Sequence, residues 1–339
     1  MSTVFLTHPT ETLKTYYGDR AVAGLRTLAQ VRFNRLDRDL DTAEMIEAAR
    51  GCAIIVSHRH VPAGAELFGG LPELVAFCRC AVDIRTVDVD AARRYGVLVT
   101  HASAGFIAAV AEWIVGAMID MGRNVTAAAE TYHSGGIPSG VMGRQLKGST
   151  LGVIGYGQIG RYLCELALAL GMRVLVCDPY VKVEKPALTQ VELPQLLAES
   201  DYVVCLAVAS EETESLMNPR TLGLMQPSAF FINASRGNLV HEAALKAALD
   251  EGRIAGCAMD VGRAHDHMPT PELARHPKVI ATPHIGGLTP EAIEHQALET
   301  VEQVREILGG RIPKGAINAE HASRLTRMGG HEGDGDRKR

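Results

Sequence analysis

Three glycines in Gly155-Tyr-Gly157-Gln-Ile-Gly160 stand where an apolar run, 151–154, gives way to a helical pattern, 158–170. A glycine string of this kind is weak by itself, because glycine is common in turns. Its context makes it specific: a strand before it, a helix after it, and Asp178 at the end of the next strand-like run. That combination suits the diphosphate of a dinucleotide. Gly155 permits a tight turn, Gly157 lets the main chain approach a pyrophosphate, and Gly160 lets the helix pack close to the sheet. The N–H groups at the helix start, near Gln158 and Ile159, then serve the phosphates. Asp178 suits a ribose hydroxyl, and its charge repels a 2′-phosphate, which favours NAD over NADP. The competing reading is a structural glycine turn with Asp178 as a strand-end cap.

The elements around this turn form a repeating alternation. Strand 151–154, helix 158–170 and strand 173–177 make one βαβ unit, and strand-like runs recur at 202–208, 230–232, 254–259 and 279–281, with a helix at 243–250. A further helix is expected from Pro290 to about residue 308. Before residue 100, short apolar runs at 4–6, 53–56, 74–77 and 97–99 alternate with helical patterns such as 42–50, which follows an Asp-Thr cap signal. Alternation of this kind predicts α/β architecture with parallel sheets. Residues 105–129 read as one long helix, with Gly116 and Gly122 permitting close packing against a second helix or subunit, and 134–140 reads as a loop. The tail beyond 319 is polar and glycine-rich and is expected to be disordered.

At 339 residues and 47% apolar content the chain is long enough for two domains, each with its own core. A net charge of −5 without a dense basic stretch before the last residues argues against nucleic acid as a partner. Seven cysteines without framework spacing, most inside apolar runs, read as buried reduced thiols of a cytoplasmic protein. Cys78-Arg-Cys80 lacks a second pair to complete a zinc site. The first residues carry no basic segment of a signal peptide, and the apolar stretch 107–121 is interrupted by Glu112 and Asp120. No membrane partner is expected.

Three later segments, Phe231-Ile-Asn233-Ala-Ser-Arg236-Gly237, Gly256-Cys-Ala-Met-Asp260-Val and Thr282-Pro-His284-Ile-Gly-Gly287, complete a pattern. With the stretch Gly-Arg-Gln-Leu-Lys-Gly-Ser-Thr-Leu-Gly-Val-Ile-Gly155, they resemble the D-isomer-specific 2-hydroxyacid dehydrogenases, the family of phosphoglycerate, D-lactate, glycerate, formate and phosphite dehydrogenases. The resemblance runs from about residue 50 to 315 and is most specific between 144 and 290. It implies two Rossmann-like doubly wound parallel-sheet domains with the active site in a cleft. The substrate domain would comprise 1–101 and 288–320, the NAD domain 102–287, and 321–339 a disordered tail. The helix after Ala102 would contribute to a homodimer.

The same resemblance assigns roles. Arg236 would hold the substrate carboxylate in a two-pronged fork and polarise the C2 oxygen. His284 would take the hydroxyl proton in oxidation and return it in reduction. Asp260 would hold the nicotinamide carboxamide, with Ala234, Ser235, Gly286 and Gly287 nearby. Leu206, Ala207 and Thr213 would lie near the ribose. Taken singly, an arginine after a strand is often a surface ion-pair residue, and a histidine before two glycines is often a turn residue.

The chain departs from the family pattern in two places. Where relatives carry a glutamate five residues after the aspartate aligned with Asp260, this chain reads Asp260-Val-Gly-Arg-Ala-His265-Asp266-His267. Either a one-residue shift brings the Asp266 carboxylate to His284, or His265 fills the slot. The first is preferred, because an anion beside the base supports chemistry near neutral pH. A metal at His265-Asp-His267 lacks a distant ligand. The second departure is the substrate loop, Cys80-Ala-Val-Asp83-Ile-Arg85-Thr-Val-Asp88, which has lost its glycines; Arg85, with His58 and Arg59, is expected to border the substrate. The residues also allow two alternatives: a relative oxidising phosphite or formate, and an NAD(H)-sensing protein on a dehydrogenase fold.

Overall fold

A computed structural model describes residues 2–328. The chain divides into two compact units: one joins the chain up to Gly105 to the segment from Thr289 onward, and the other is Phe106–Leu288. Each is built on a wholly parallel sheet.

In the first unit the strands are β1 (Thr3–Leu6), β2 (Gln30–Phe33), β3 (Ile54–Ser57), β4 (Ala76–Arg79) and β5 (Leu98–His101), in the spatial order β2-β1-β3-β4-β5. Side chains alternate between faces along a strand. Val4, Leu6, Ile54 and Val56 therefore enter one apolar cluster with Leu25 and Val304, and Phe5, Ile55 and Phe77 enter another with Met45 and Phe68. Helices cover both faces, which is why these strands are apolar throughout rather than alternating. The helix Thr42–Ala49 starts as its cap signal predicts: the Asp41 carboxylate accepts from the Glu44 amide, and Glu44 answers at the Asp41 amide.

The second unit contains β6 (Thr150–Ile154), β7 (Arg173–Cys177), β8 (Thr189–Gln190), β9 (Tyr202–Cys205), β10 (Phe230–Asn233), β11 (Gly256–Met259) and β12 (Val279–Ala281). Their order is β12-β11-β10-β9-β6-β7-β8. The chain leaves β6 towards β7 on one side and returns to β9 on the other. Winding reverses there, and in open α/β sheets ligands bind beyond the strand ends at such a point. Leu151, Val153, Val174, Val176 and Val204 pack on one face, and Ile154, Leu175, Val203 and Phe231 on the other.

Two expectations need correction. The helix expected over 105–129 is two helices, Ile107–Arg123 and Val125–His133, because Asn124 adopts the left-handed conformation (φ 56°) and ends the first. Asp120 fixes the break by accepting from the Thr126 amide at 2.8 Å and its hydroxyl at 2.5 Å. The segment expected to be disordered begins with order: Ser323–Arg327 forms a 3-10 turn with Arg324 and Leu325 buried, and Arg324 donates to the Leu71 and Leu74 carbonyls. The rest of that tail, from 329, lies outside the described residues. Among the described residues no helix is long and apolar enough to cross a membrane, and no group of three or more His, Cys, Asp or Glu side chains is arranged to hold a metal.

Candidate functional site

The glycine turn lies at the end of β6, at the reversal of winding. Gly155 has φ +99°, and a Cβ there would come within 2.7 Å of the Leu206 and Ala207 main chain. At Gly160 a Cβ would meet the Gly155 carbonyl oxygen at 2.3 Å, so the helix Gln158–Ala169 rests directly on the turn. Gly157 differs. Its φ of −75° suits any residue, and a Cβ there would meet nothing within 4 Å. Open space over the first amides of a helix is what an approaching diphosphate needs, so these residues fit a dinucleotide.

Asp178 anchors the other side of this turn. One carboxylate oxygen accepts from the Tyr156 amide at 2.7 Å, and the other from the Tyr180 and Val181 amides at 2.9 and 3.0 Å. Partial burial pushes its carboxyl up, but the three amides and the nearby Arg161 together carry it below the ordinary carboxylate range. An ionised carboxylate held this way retains lone pairs for ribose hydroxyls. The next loop, after β9, is closed by Thr213, whose hydroxyl donates to the Val208 carbonyl at 2.7 Å and accepts from the Ser210 amide at 2.8 Å. Ser235 Oγ donates to the Ala207 carbonyl at 2.7 Å, which joins this loop to the one after β10.

Arg236 lies three residues beyond β10. Asn233 shapes its loop: its side-chain oxygen accepts from the Ser235 amide at 3.1 Å, and its amide nitrogen donates to the Arg236 carbonyl at 2.9 Å. The half-buried guanidinium donates from Nη1 to the Ser235 carbonyl at 2.8 Å.

Asp260, just after β11, is buried and fixes the turn that carries His284. Its carboxylate accepts from Thr282 Oγ1 at 2.6 Å and from the Ile285 and Gly286 amides, each at 2.8 Å. His284 has φ +56°, a left-handed conformation costing of order 1 kcal/mol that only a fixed turn sustains. Its Nδ1 lies 2.9 Å from the main-chain carbonyl oxygen of Asp266. A carbonyl oxygen only accepts, so Nδ1 carries the proton and the Nε2 lone pair is the basic one. Position 266 thus reaches the histidine, and the atom on Nδ1 is its main-chain oxygen. His265 is exposed, and the His267 ring stands edge-on to His284 at 6.1 Å.

The three residues expected to border substrate lie in the first unit. His58 is buried at the end of β3, with Nδ1 3.0 Å from Asp39 Oδ1. Arg59 lies over the Tyr16 ring at 5.4 Å. Arg85 forks onto Asp83 and lines an open groove with Thr42, Glu66 and Asp88. Sequence reasoning passed over two neighbours of His58. Arg79 is fully buried, and burial pushes its guanidinium down to about 10. It donates to the carbonyls of His58 and Val61 and to the Thr86 hydroxyl, tying two loops together. His8 packs against His58 at 5.1 Å between ring centres. Sequence reasoning also passed over Trp113, the sole tryptophan, which borders Gly286 beside Asp260. No spacing rule marks any of the three, because they come from distant parts of the chain: the loop after β1, β4 and the helix Ile107–Arg123.

Comparison with known proteins identifies the family. The model of a family described as "D-isomer specific 2-hydroxyacid dehydrogenase, NAD binding domain" matches residues 115–286. The chain is 32% identical over 301 residues to an (S)-sulfolactate dehydrogenase of Chromohalobacter salexigens, covering 87% of this chain and 97% of that one. It is 31% identical over 299 residues to a D-3-phosphoglycerate dehydrogenase of Synechocystis, covering 87% of this chain but 54% of that protein. The chain thus spans about half the length of the phosphoglycerate dehydrogenases it matches. The crystal structure of the TT0316 protein from Thermus thermophilus superposes with a TM-score of 0.83 at 29% identity, covering 93% of this chain and 99% of that one.

Proposed function

This chain belongs to the D-isomer-specific 2-hydroxyacid dehydrogenase family, and on that premise we propose that it interconverts a small 2-hydroxy acid and its 2-oxo acid with NAD. The observation that carries the reading is the 2.9 Å contact between His284 Nδ1 and the Asp266 carbonyl oxygen, which calls for the proton on Nδ1 and leaves Nε2 as the basic nitrogen. Bound nicotinamide supplies the hydride acceptor in oxidation and the donor in reduction.

The chain's own residues do the rest. Arg236 grips the substrate carboxylate and draws charge from the C2 oxygen. His284 Nε2 takes the hydroxyl proton as C2 is oxidised and returns it in the reverse direction. Asp266 steadies the ring and Asp260 fixes its turn and serves the carboxamide, while Ala234, Ser235, Gly286 and Gly287 line the same end of the cofactor site. Leu206, Ala207 and Thr213 serve the ribose, and Asp178 selects NAD over NADP by charge. His58, Arg59 and Arg85 belong to the substrate side. The discontinuous substrate domain takes 1–101 and 288–320, and the NAD domain 102–287.

We further propose a cytoplasmic homodimer. Ile119, Val125, Tyr132, Ile137, Val141 and Met142 are exposed on and just after the two helices of 107–133, an apolar concentration expected of an association surface. Sedimentation of the purified chain as a monomer at micromolar concentration would remove that part of the reading.

The activity is tested with NAD and NADP against 2-hydroxy and 2-oxo acids of both hands, including phosphoglycerate and sulfolactate, by nicotinamide absorbance. The expected result is NAD-linked turnover of at least one acid, lost in His284→Gln by about 100-fold or more. Tight NADH binding without turnover of any acid would overturn it.

A further inference from the structure

Loops following β9, β10 and β11 carry the separate parts of the proposed chemistry, and one residue touches all three. The loops after β10 and β11 meet main chain to main chain: a Cβ on Gly237 would lie 2.1 Å from the carbonyl carbon and oxygen of Gly262. A Cβ on Gly262 would in turn lie 2.4 Å from Pro269 Cα. Glycine at both positions lets the Arg236 loop and the 262–268 segment touch with no side chain between them.

Arg263 sits beside this contact. Its Nη2 donates to Glu214 Oε1 at 2.5 Å, in the loop after β9, and to the Asn238 carbonyl at 3.0 Å, in the loop after β10. Nε and Nη2 also approach the Val240 carbonyl, each at 3.4 Å. Its own amide donates to Glu242 Oε1 at 3.2 Å, and Glu242 Oε2 accepts from Thr270 Oγ1 at 2.6 Å. Five donors in a rigid fork allow a guanidinium to span three loops where an ammonium would not.

The segment it anchors is under backbone strain. Asp266 and His267 have φ of 52° and 58°, and His284, which they meet, has 56°. Three of the five positive-φ non-glycine residues of the described chain therefore converge at one contact. Such conformations persist only when the surroundings over-determine them. Here the Gly262 amide donates to the His267 carbonyl at 2.6 Å and the Ala264 amide to the Met268 carbonyl at 2.9 Å, closing the segment, and Arg263 ties the closed segment to its neighbours. The Asp266 carbonyl meets Nδ1 only while this conformation holds.

We infer that Arg263 is a positioning residue of the proposed reaction: it locks the three loops together, so that the Asp266 carbonyl stays on His284 and Arg236 stays in register with both. The inference rests on the acid–base reading of His284. Its test therefore includes a readout independent of turnover.

The variant is Arg263→Met. Its expected kcat is about tenfold below wild type, with NADH affinity, read from Trp113 emission, changed less than threefold. Losing the acceptor at Nδ1 disfavours the imidazolium, so the acid limb of kcat against pH moves to lower pH. His267, whose ring stands edge-on to His284, Asp266, whose carbonyl meets its Nδ1, and Asp260, which fixes its turn, all remain in the variant. A merely structural role would reduce the amount of folded enzyme and leave that limb in place. Independently of activity, the His284 Nδ1 proton in ¹⁵N-histidine-labelled protein, assigned by its absence in His284→Gln, is protected from solvent exchange in wild type and loses protection in Arg263→Met. Should that variant not fold, Arg263→Lys carries the test, with about a threefold loss and the same shift. Wild-type protection of that proton together with a wild-type pH profile in the folded variant overturns the inference. Retained differences in proton protection with no turnover in any protein would instead sink the dehydrogenase reading alone.

Discussion

Replacing the three glycines of 155–160 by alanine, one at a time, separates folding from cofactor binding, because each added methyl group meets different surroundings. At Gly155 the φ of +99° costs an L-residue of order 1–2 kcal/mol. The 2.7 Å approach to the Leu206–Ala207 main chain adds an overpacking term of about 1–3 kcal/mol. At Gly160, helix propensity favours alanine by about 1 kcal/mol, but a Cβ 2.3 Å from the Gly155 carbonyl forces turn and helix apart, and the net sign is destabilising. At Gly157 there is neither strain nor a neighbour within 4 Å, and the loss of unfolded-state freedom stabilises the fold by about 0.4–1 kcal/mol. The same methyl stands over the first amides of the helix, where it obstructs a diphosphate, and a tenfold or greater rise in the NADH dissociation constant, about 1.4 kcal/mol, is expected. Urea midpoints at constant m measure the first quantity, and energy transfer from Trp113 to NADH measures the second. The reasoning fails if Gly157→Ala unfolds at lower urea than wild type, or if it binds NADH with unchanged affinity.

Further outcomes follow from other parts of the two units. Arg236→Gln removes the carboxylate fork and should lower kcat/KM by about 100-fold with little change in NADH affinity; a loss under threefold would place the anion elsewhere. Asp266→Asn keeps both the main-chain carbonyl and a residue tolerant of left-handed φ, so kcat should stay within a few-fold. A tenfold fall would assign the role to the carboxylate instead. His8 is held well below the ordinary histidine range, by burial first and then by His58 and Arg79, against a raising contact from the Tyr16 main chain. The unfolded chain therefore binds a proton below pH 6.5 that the folded chain refuses. Stability is lost as pH falls through the unfolded-state histidine range. His8→Phe should flatten that part of the urea-midpoint profile, and an unaltered slope would show that His8 titrates normally.

What was legible in the sequence divides along a physical line. Patterns set by neighbours in the chain could be read: the apolar period of a two-sided parallel strand, the Asp41–Glu44 cap, and glycines demanded by a turn, as at Gly155. The break at Asn124 could not, because the helical pattern resumes beyond it and only the Asp120–Thr126 contacts disclose the left-handed residue. Which atom of position 266 meets His284 was unreadable for a related reason. Choosing between residues 265 and 266 by alignment assumes an unstrained backbone, whereas left-handed residues at 266 and 267 turn a main-chain oxygen towards the ring. Positive φ is commoner at Asn, Asp and His than at other non-glycine residues, but residue type alone does not say which of them adopts it. Arg263 shows the limit most plainly. In the sequence it is one arginine just after the Asp260-Val segment, and nothing in its type or spacing marks a role for it. It acquires a role because the strand order places β9, β10 and β11 side by side, so that carbonyls and a carboxylate from three distant loops come within reach of one guanidinium. Residues that bond a cofactor are constrained by the cofactor's chemistry and recur as motifs. Residues that hold such groups in place are constrained only by the local packing, and the fold must be known before they can be found.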